Sequence, residues 1–470
     1  MMRLLPGLIF LLLVFFLISP HLQPVSAVEI QECQDIRSSG MYVLTADVYG
    51  VQYGKDYCIG IFADNVILDG NGYSVEGAEI RFRTTQGVRI VEANNVTIKN
   101  LRISKYDYGI YMRESNYTTI INNIVELNVI TGIYLRDSHH NEISSNNIVF
   151  NGGGIYLENS HNNAITDNTI SSNSQHGIEL VFSIKTMILN NTVSSNGYGI
   201  LLDASNNNTV IGNDIESNTA EGVYLDSSRY NEILVNTISS NGETGIYLVY
   251  SDYNTILNNT VSLNGQHGIE LVFSIKTMIL NNTVSSNTFD GVYLAYSDYG
   301  IISGNTISSN GDDGIELEAS NKTIIVNNTV SLNTFSGIYV HSSSKYNMIF
   351  NNVFNNSINV VLEDAGRNYW NTTRIAERDI VGGNYLGGNY WGSPYATGFS
   401  DTCGDRDRDG ICDSPFQIDE NNTDWLPLSR PVQPPPSITL APGSTMILAM
   451  ITVLAIIGVI ASAFRLKKKV

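Results

Sequence analysis

The sequence predicts an all-β solenoid, a single-stranded parallel β-helix of short, near-identical coils. Three observations carry this. A glycine recurs at Gly109, Gly132, Gly154, Gly177, Gly199, Gly222, Gly245, Gly268, Gly291, Gly314 and Gly337, each step being 22 or 23, and a fixed period of this length marks stacked repeats. Within a coil, such as GIYLENSHNNAITDNTISSN (154–173), apolar residues pair at spacing two, as Ile155 and Leu157 do. That spacing puts both side chains on one face of a strand, not of a helix. Finally, with the glycine as position 0, Ser at +6 and Asn at +14 and +19 hold in every coil from Gly109 to Gly314. An Asn stacked on its copies can bond to them and to the backbone of a bend, so these positions are scaffold.

Each segment has its reason. Residues 1–27 have a basic start at Arg3, an apolar run and Val-Ser-Ala before residue 28, the pattern of a secretory signal. Residues 28–86 alternate polar and apolar residues irregularly and read as an N-terminal cap with the first imperfect coils. Coils occupy 87–370, with Met348-Ile349-Phe350 arriving one residue late. Residues 371–430 are rich in Gly, aromatic and acidic residues and read as a C-terminal cap. A Pro-rich linker covers 431–445. Residues 446–464 are free of charge and long enough to span a bilayer, and the basic tail 465–470 marks the cytoplasmic side. The expected protein is a single-pass cell-surface protein with its body outside.

Composition narrows the partners. A net charge of −19 argues against nucleic acid, which needs basic patches, and suits a solvated exported surface or divalent cations. The four cysteines fall into two local pairs, Cys33 with Cys58 and Cys403 with Cys412, which read as disulfides in an exported chain. Asn-x-Ser/Thr triplets are plentiful, Asn371 and Asn421 among them, and are candidates for glycosylation.

Two features show where function is free to sit. The shorter coils lose their residue between the +19 Asn and the next Gly, which makes that turn an exposed, variable loop. Residues 175–196 are identical to 266–287, so the array has grown by copying whole coils, a route to a long repetitive surface.

Three residue sets could carry chemistry. Asp405, Asp407, Asp409, the Ile411 carbonyl and Asp413 stand at positions 1, 3, 5, 7 and 9 of a D-x-D-x-D-G loop, the oxygen-rich spacing that suits a structural Ca²⁺, although position 12 is Phe416 instead of an acid. The +2 row, pointing outward, includes Tyr111, Tyr134, Tyr156, Tyr224, Tyr247, Tyr293 and Tyr339, with Glu179, Glu270 and Glu316 among them. Such a row can stack on sugars, or be a packing ladder that stabilises the sheet. The −1 position holds His267, Asp290 and Asp313 in successive coils, with Asp312 adjacent. Carboxylates one or two coils apart bracket the separations that glycosidases use, and the same set is also what polar turns produce. His139 and His161 share one position in adjacent coils, beside His140, without the Cys or Met that copper favours.

The repeated G-I-Y-L-x-x-S-x-x-N-x-I-x-x-N-x-I-x-x-N, the stretch NVILDGNGYSVEG (65–77), and GNYWG with DRDRDGICDSPF (405–416) resemble archaeal surface proteins with a NosD-type right-handed β-helix, of the carbohydrate-binding and sugar-hydrolase repeats of the pectin-lyase-like fold. The resemblance implies the fold and a carbohydrate-related role. Its copper-handling name finds no support in the histidines. Gly311-Asp312-Asp313-Gly314 looks like the G-D-D motif of polygalacturonases and Gln266-His267-Gly268 like their G-H-G motif, but in reversed chain order and without the R-I-K motif, so no catalytic role follows. The expected function is a non-enzymatic surface protein that binds polysaccharide or glycoprotein. The alternatives are a polysaccharide hydrolase or lyase, and a copper-handling protein.

Overall fold

The computed structural model describes residues 27–78 and 84–430. In the coil that starts at Gly154, three short strands form, Gly153–Glu158, Ala164–Thr166 and Thr169–Ser171. Each pairs in parallel with its copy one coil on, Ile155 opposite Ile178, Ile165 opposite Ile188 and Ile170 opposite Val193. Repetition builds three parallel sheets of 15 strands each. Ile155, Leu157, Ile165 and Ile170 are fully buried, so each coil adds about this set to one continuous core. Fully burying one such aliphatic side chain contributes roughly 1.5–3 kcal/mol, and that term holds the stack together.

The bends are the costly part. Each coil turns through non-glycine residues in the left-handed region, Asn159, Asn162, Asp167 and Ser172 in this one. The interior Asn and Ser ladders offset that cost. Asn191 donates through Nδ2 to Asn213 Oδ1 (3.0 Å) and Ile165 O (2.9 Å), and its Oδ1 accepts from the backbone N of Asn168 (3.0 Å). Ser205 Oγ donates to Asp203 O (2.8 Å) and accepts from the Ser183 backbone N (2.9 Å). Backbone groups that the strands leave unpaired at the bends thus find partners. The +19 Asn also explains the glycine at position 0. A Cβ on Gly268 would stand 2.7 Å from Asn287 Nδ2 and 2.3 Å from Val284 Cγ1.

Both ends of the described body join the three sheets. Among the described residues of 28–86, Val28–Ile30, Asp35–Ile36 and Val48–Tyr49 are the first strands of the three sheets, and the coils there are unequal, Val28 pairing with Tyr42, Met41 with Ile67 and Ile67 with Thr97. Their corners lack the Ser/Asn code of the later coils. The late strand Met348–Phe350 keeps its register against Ile324–Val326, the extra residue being absorbed at the bend around Ser342 and Ser343. The C-terminal cap is part of the sheets as well. Tyr390–Gly392 pairs with Val353–Asn355, Trp391 stacks on Phe354 (5.1 Å), and Asn389 extends the Asn ladder from Asn352 (2.9 Å). Cys33–Cys58 and Cys403–Cys412 are disulfides. The expected signal peptide (bar its last residue), linker, membrane-spanning segment 446–464 and basic tail lie outside the described residues. Among the described residues no helix is long and apolar enough to cross a membrane.

Candidate functional site

Coil length decides what the −1 residue can do. Around the shorter steps the first-sheet strand starts at −1, as in His176–Val181 and Tyr198–Asp203. From Gly222 to Gly337 every step is the longer one, and the strand starts at +1, as in Ile269–Val272, Val292–Ala295 and Ile315–Glu318. The −1 residue then stands on the turn. Glu221, Thr244, His267, Asp290, Asp313 and Ser336 occupy it in succession, and all but His267 are buried.

This row joins the +2 row into one acidic centre. His267 Nδ1 lies 3.0 Å from Asp290 Oδ2, a closer contact than the 3.4 Å from the Asp290 backbone N, so the carboxylate is its main partner. Asp290 Oδ1 accepts from the Asp313 backbone N (2.8 Å), and Ser336 Oγ donates to Asp313 Oδ1. Carboxylate oxygens of Asp290, Asp312 and Asp313 approach within 4.8 Å of one another. Glu316 faces His341 Nε2 (2.7 Å), and Glu270 accepts from Thr244 Oγ1 (2.9 Å). The structure therefore brings together His267, Asp290, Asp312 and Asp313, as the spacing suggested, with Glu270 and Glu316 beside them.

The electrostatics follow from burial without cations. Among the described residues no lysine or arginine reaches salt-bridge distance of Asp290, Asp312, Asp313 or Glu316. Burial pushes the Asp313 carboxyl up to about 7, against the help of Ser336. Burial, and then the neighbouring Asp290 carboxyl, push Glu316 well above the usual range. Burial also raises Asp312 and Glu270. Like charges this close in a poorly solvated place hold their protons more tightly than free carboxyls do.

Two aromatic walls flank it, and the sequence reading missed both. Phe289 and Phe335 stand at −2, one coil to either side of Asp312, and are 45% and 46% exposed. At the strand spacing they are about 10 Å apart. The repeated Thr-Phe before x-Gly, at 288–289 and 334–335, is the signal that pointed to them. His341 and Ser336 were also missed, since neither belongs to a motif.

The tyrosines behave differently. Tyr111, Tyr134 and Tyr156 stack in sequence with centroids 5.3 Å apart, Tyr224 stacks on Tyr247 (5.2 Å), Tyr293 on His267 (4.9 Å) and Tyr339 on His341 (4.5 Å). Their faces are turned to one another, so the row offers edges and hydroxyls. Three of those hydroxyls already donate to Glu158, Glu318 and Glu363.

In the cap, Asp405, Asp407 and Asp409 bring carboxylate oxygens within 4.8 Å. Asp405 accepts from the backbone N of Asp409 and Gly410 (3.1 Å each), and Gly410 has φ +94°. Arg374 bridges Asp409 (2.8 Å). Asp413 stands outside this group, its nearest cation being Arg406 (3.6 Å).

The fold and this face define a parallel β-helix repeat protein with an acidic, aromatic-walled surface site. The chain belongs to the NosD family, described as periplasmic copper-binding protein (NosD), whose model matches residues 29–243, 174–276 and 239–396. No curated protein matches the chain. Among solved structures it is similar to the A-module of the Azotobacter vinelandii mannuronan C-5 epimerase AlgE4, at 16% identity over 62% of this chain and 86% of that one, TM-score 0.48. It is also similar to the periplasmic alginate epimerase AlgG (18% identity, 63% and 77% covered, TM-score 0.42). A third is PfbA, a surface adhesin of Streptococcus pneumoniae (13% identity, 62% and 82% covered, TM-score 0.42).

The family's copper finds no fitting donor set among the described residues. His139 and His161 stack on each other (4.8 Å), and their Nδ1 atoms accept from backbone N–H groups at 2.9 and 3.3 Å. His140 stacks on Tyr117. All four cysteines are in disulfides. The clusters that do form are all-carboxylate, a hard oxygen set that suits Ca²⁺ or Mg²⁺ better than copper.

Proposed function

We propose that this is an extracellular, membrane-anchored protein that binds polysaccharide along its first sheet, with the centre between Phe289 and Phe335 as the principal subsite. One observation carries the reading: two exposed aromatic rings bracket Asp312 over a buried floor of hydrogen-bonding acids. Sugars present apolar C–H faces to aromatic rings and hydroxyls to carboxylates, and this site offers both at pyranose scale. The anchoring rests on the sequence at the two ends of the chain. The purified protein is expected to be retarded in gels cast with a matching polysaccharide, and Phe289→Ala/Phe335→Ala to lose the retardation. Binding to no member of a neutral and acidic panel, or retardation indifferent to that variant, removes the reading.

A second reading, cleavage of the bound glycan, is favoured by a carboxyl that burial raises, Asp313, standing among other carboxyl groups within 4.8 Å. A glycosidase needs one carboxyl to protonate the leaving oxygen and another to act as base or nucleophile. Release of new reducing ends that stops in Asp313→Asn and Glu316→Gln supports it; binding without any release restricts the protein to binding.

We also propose that Asp405, Asp407 and Asp409 hold a structural Ca²⁺. The Ile411 carbonyl, which accepts no hydrogen bond from the described residues, is a fourth ligand. A buried, unpartnered Asp379 Oδ2 beside Gly410 adds to the local demand for a cation.

A further inference from the structure

The C-terminal cap contains a cleft of about 460 Å³, between residues 367–371 and 420–425. Its walls arise from strict alternation. On one side Asn368 and Trp370 point inward at 4% and 0% exposure, while Tyr369 between them is 43% exposed. On the other, Asn422 and Asp424 are fully buried and Trp425 is 65% exposed. The inward residues clamp the two segments together. Asn422 Oδ1 accepts from the Asn368 backbone N (2.9 Å) and Trp370 Nε1 (3.1 Å), and Asp424 Oδ2 accepts from Trp391 Nε1 (2.9 Å). Across the mouth, the Trp425 backbone N donates to Asn371 Oδ1 (3.2 Å).

The outward residues are thereby held in place around open space. Trp425 and Tyr369 offer aromatic surface, Arg367 sits over the Tyr369 ring (5.5 Å), and Glu420 and Thr423 add hydroxyl-binding groups. A Trp this exposed is unusual, because burying its ring is among the larger gains available to a side chain. Here the backbone is anchored on both sides, at Asp424 and through the Trp425 N–H to Asn371, and the indole stays outside the core that holds Trp370 and Trp391. An exposed aromatic beside donors and acceptors in a cleft of ligand size is complementary to a pyranose.

We propose that this cleft is a second saccharide site, for a neutral pyranose unit, with Trp425 as the stacking platform, Glu420 accepting from sugar hydroxyls and Arg367 donating to them. A neutral sugar fits because Arg367 and Glu420 offset each other and the chain as a whole repels anions. The inference does not rest on the sheet-face reading, since the two sites share no residue.

Tryptophan fluorescence tests it. Trp425 is the exposed one of the three tryptophans, so red-edge emission and quenching by acrylamide report on it alone. With the whole protein, short oligomers of glucose, mannose and xylose are titrated alongside galacturonate oligomers. The expected result is a saturable blue shift with a neutral oligomer and protection from acrylamide. Trp425→Ala should weaken binding of that oligomer at least tenfold by calorimetry, and Glu420→Gln several-fold, while Phe289→Ala/Phe335→Ala leaves it unchanged. Polysaccharide retardation that the double variant leaves unchanged, with the Trp425 signal intact, would sink the sheet-face reading alone. The cap proposal is overturned by no shift with any neutral oligomer, by a response to galacturonate only, or by calorimetric binding indifferent to Trp425→Ala. It is equally overturned if Trp425 is already shielded from acrylamide without sugar, or if mass spectrometry finds a glycan on Asn421 filling the cleft.

Discussion

Residues 175–196 and 266–287 are one identical stretch in two places of one solenoid. Both copies bury the same side chains, Ile178 and Leu180 in one, Ile269 and Leu271 in the other. Both feed the same ladders through Asn191 and Asn282. Their histidines nevertheless do different things. His176 turns its Nε2 to Glu179 in its own strand (2.9 Å), with its Nδ1 buried and unpartnered. His267 instead meets Asp290 of the next coil, and Glu270 binds Thr244 of the coil before. The first copy has Tyr198 and Leu201 where the second has Asp290 and Tyr293. In a parallel solenoid the chemistry at a position is set by the residue one coil away, and copying a coil without its neighbours copies scaffold only.

The largest expected effect tests the scaffold half of that statement. Asn191→Ala removes two donated bonds and leaves the Asn168 backbone N and Nδ2 without their acceptor (3.0 Å each). Asn282→Ala does the same to Asn259 (2.8 and 3.0 Å). With buried unsatisfied donors costing about 1–3 kcal/mol each, either change should destabilise by ~4 kcal/mol. The two losses, read from urea unfolding midpoints, should agree within about 0.5 kcal/mol because the sites are independent. A markedly smaller loss in the second copy means that the acidic coils are already strained, and that scaffold and site are not separable.

The next effect belongs to the acidic copy alone. The folded Asp313 carboxyl keeps its proton up to about 7, whereas the unfolded one loses it near its ordinary value of 3.8. Its stabilising contribution is therefore complete below the unfolded value and is lost as pH rises through the folded one. The wild-type protein should lose stability between pH ~4 and ~7 relative to Asp313→Asn, by an amount on the order of 3 kcal/mol. The difference between the two profiles is the readout, since Asp35, which burial pushes up but the Lys55 ammonium and Gln52 pull down to about 2, titrates in both proteins alike. Parallel profiles remove the claim that Asp313 is protonated in the fold.

Legibility followed the same division. Every feature that repeats could be read from the chain: the Ile155/Leu157 pair, the Asn ladders, the glycine crowded by Asn287. Each repeat is a fresh statement of one physical requirement. The cluster of His267, Asp290, Asp312 and Asp313 was legible as a spacing, because one coil advances a residue by one strand separation. Ser336 and His341 were not, since each occurs in a column with no rule and matters only through its neighbours, and Phe289 and Phe335 left only the twice-repeated Thr-Phe as a trace. Arg367, Tyr369 and Trp425 were further out of reach. Their cleft joins segments distant in the chain, tied by Asn422 and Asp424, and no period links them.

Binding sharpens the comparison at smaller energies. Asp290→Asn, beside the second copy, should weaken polysaccharide retardation about tenfold, equivalent to ~1.4 kcal/mol. Tyr198→Ala, at the equivalent place beside the first copy, should leave it unchanged. Equal losses from both would mean that the whole first-sheet face binds and that the acidic centre has no special part.

The smallest effect contrasts two acid clusters instead of two coils. Asp290, Asp312 and Asp313 lie in the stack and Asp405, Asp407 and Asp409 in the cap, each with carboxylate oxygens within 4.8 Å. Crowded carboxylates have two remedies, protons or a cation. Burial of Asp313 favours a proton, which needs no coordination shell. The cap loop sits at the surface, with backbone N–H groups turned to Asp405 and a free carbonyl at Ile411, which favours a hydrated divalent ion. A chelator should therefore lower the thermal midpoint by about 2 °C through the cap alone. Asp407→Asn should abolish that response, and Asp312→Asn should keep it. A response that follows Asp312 instead assigns the cation to the sheet face and makes the polysaccharide site a metal-dependent one.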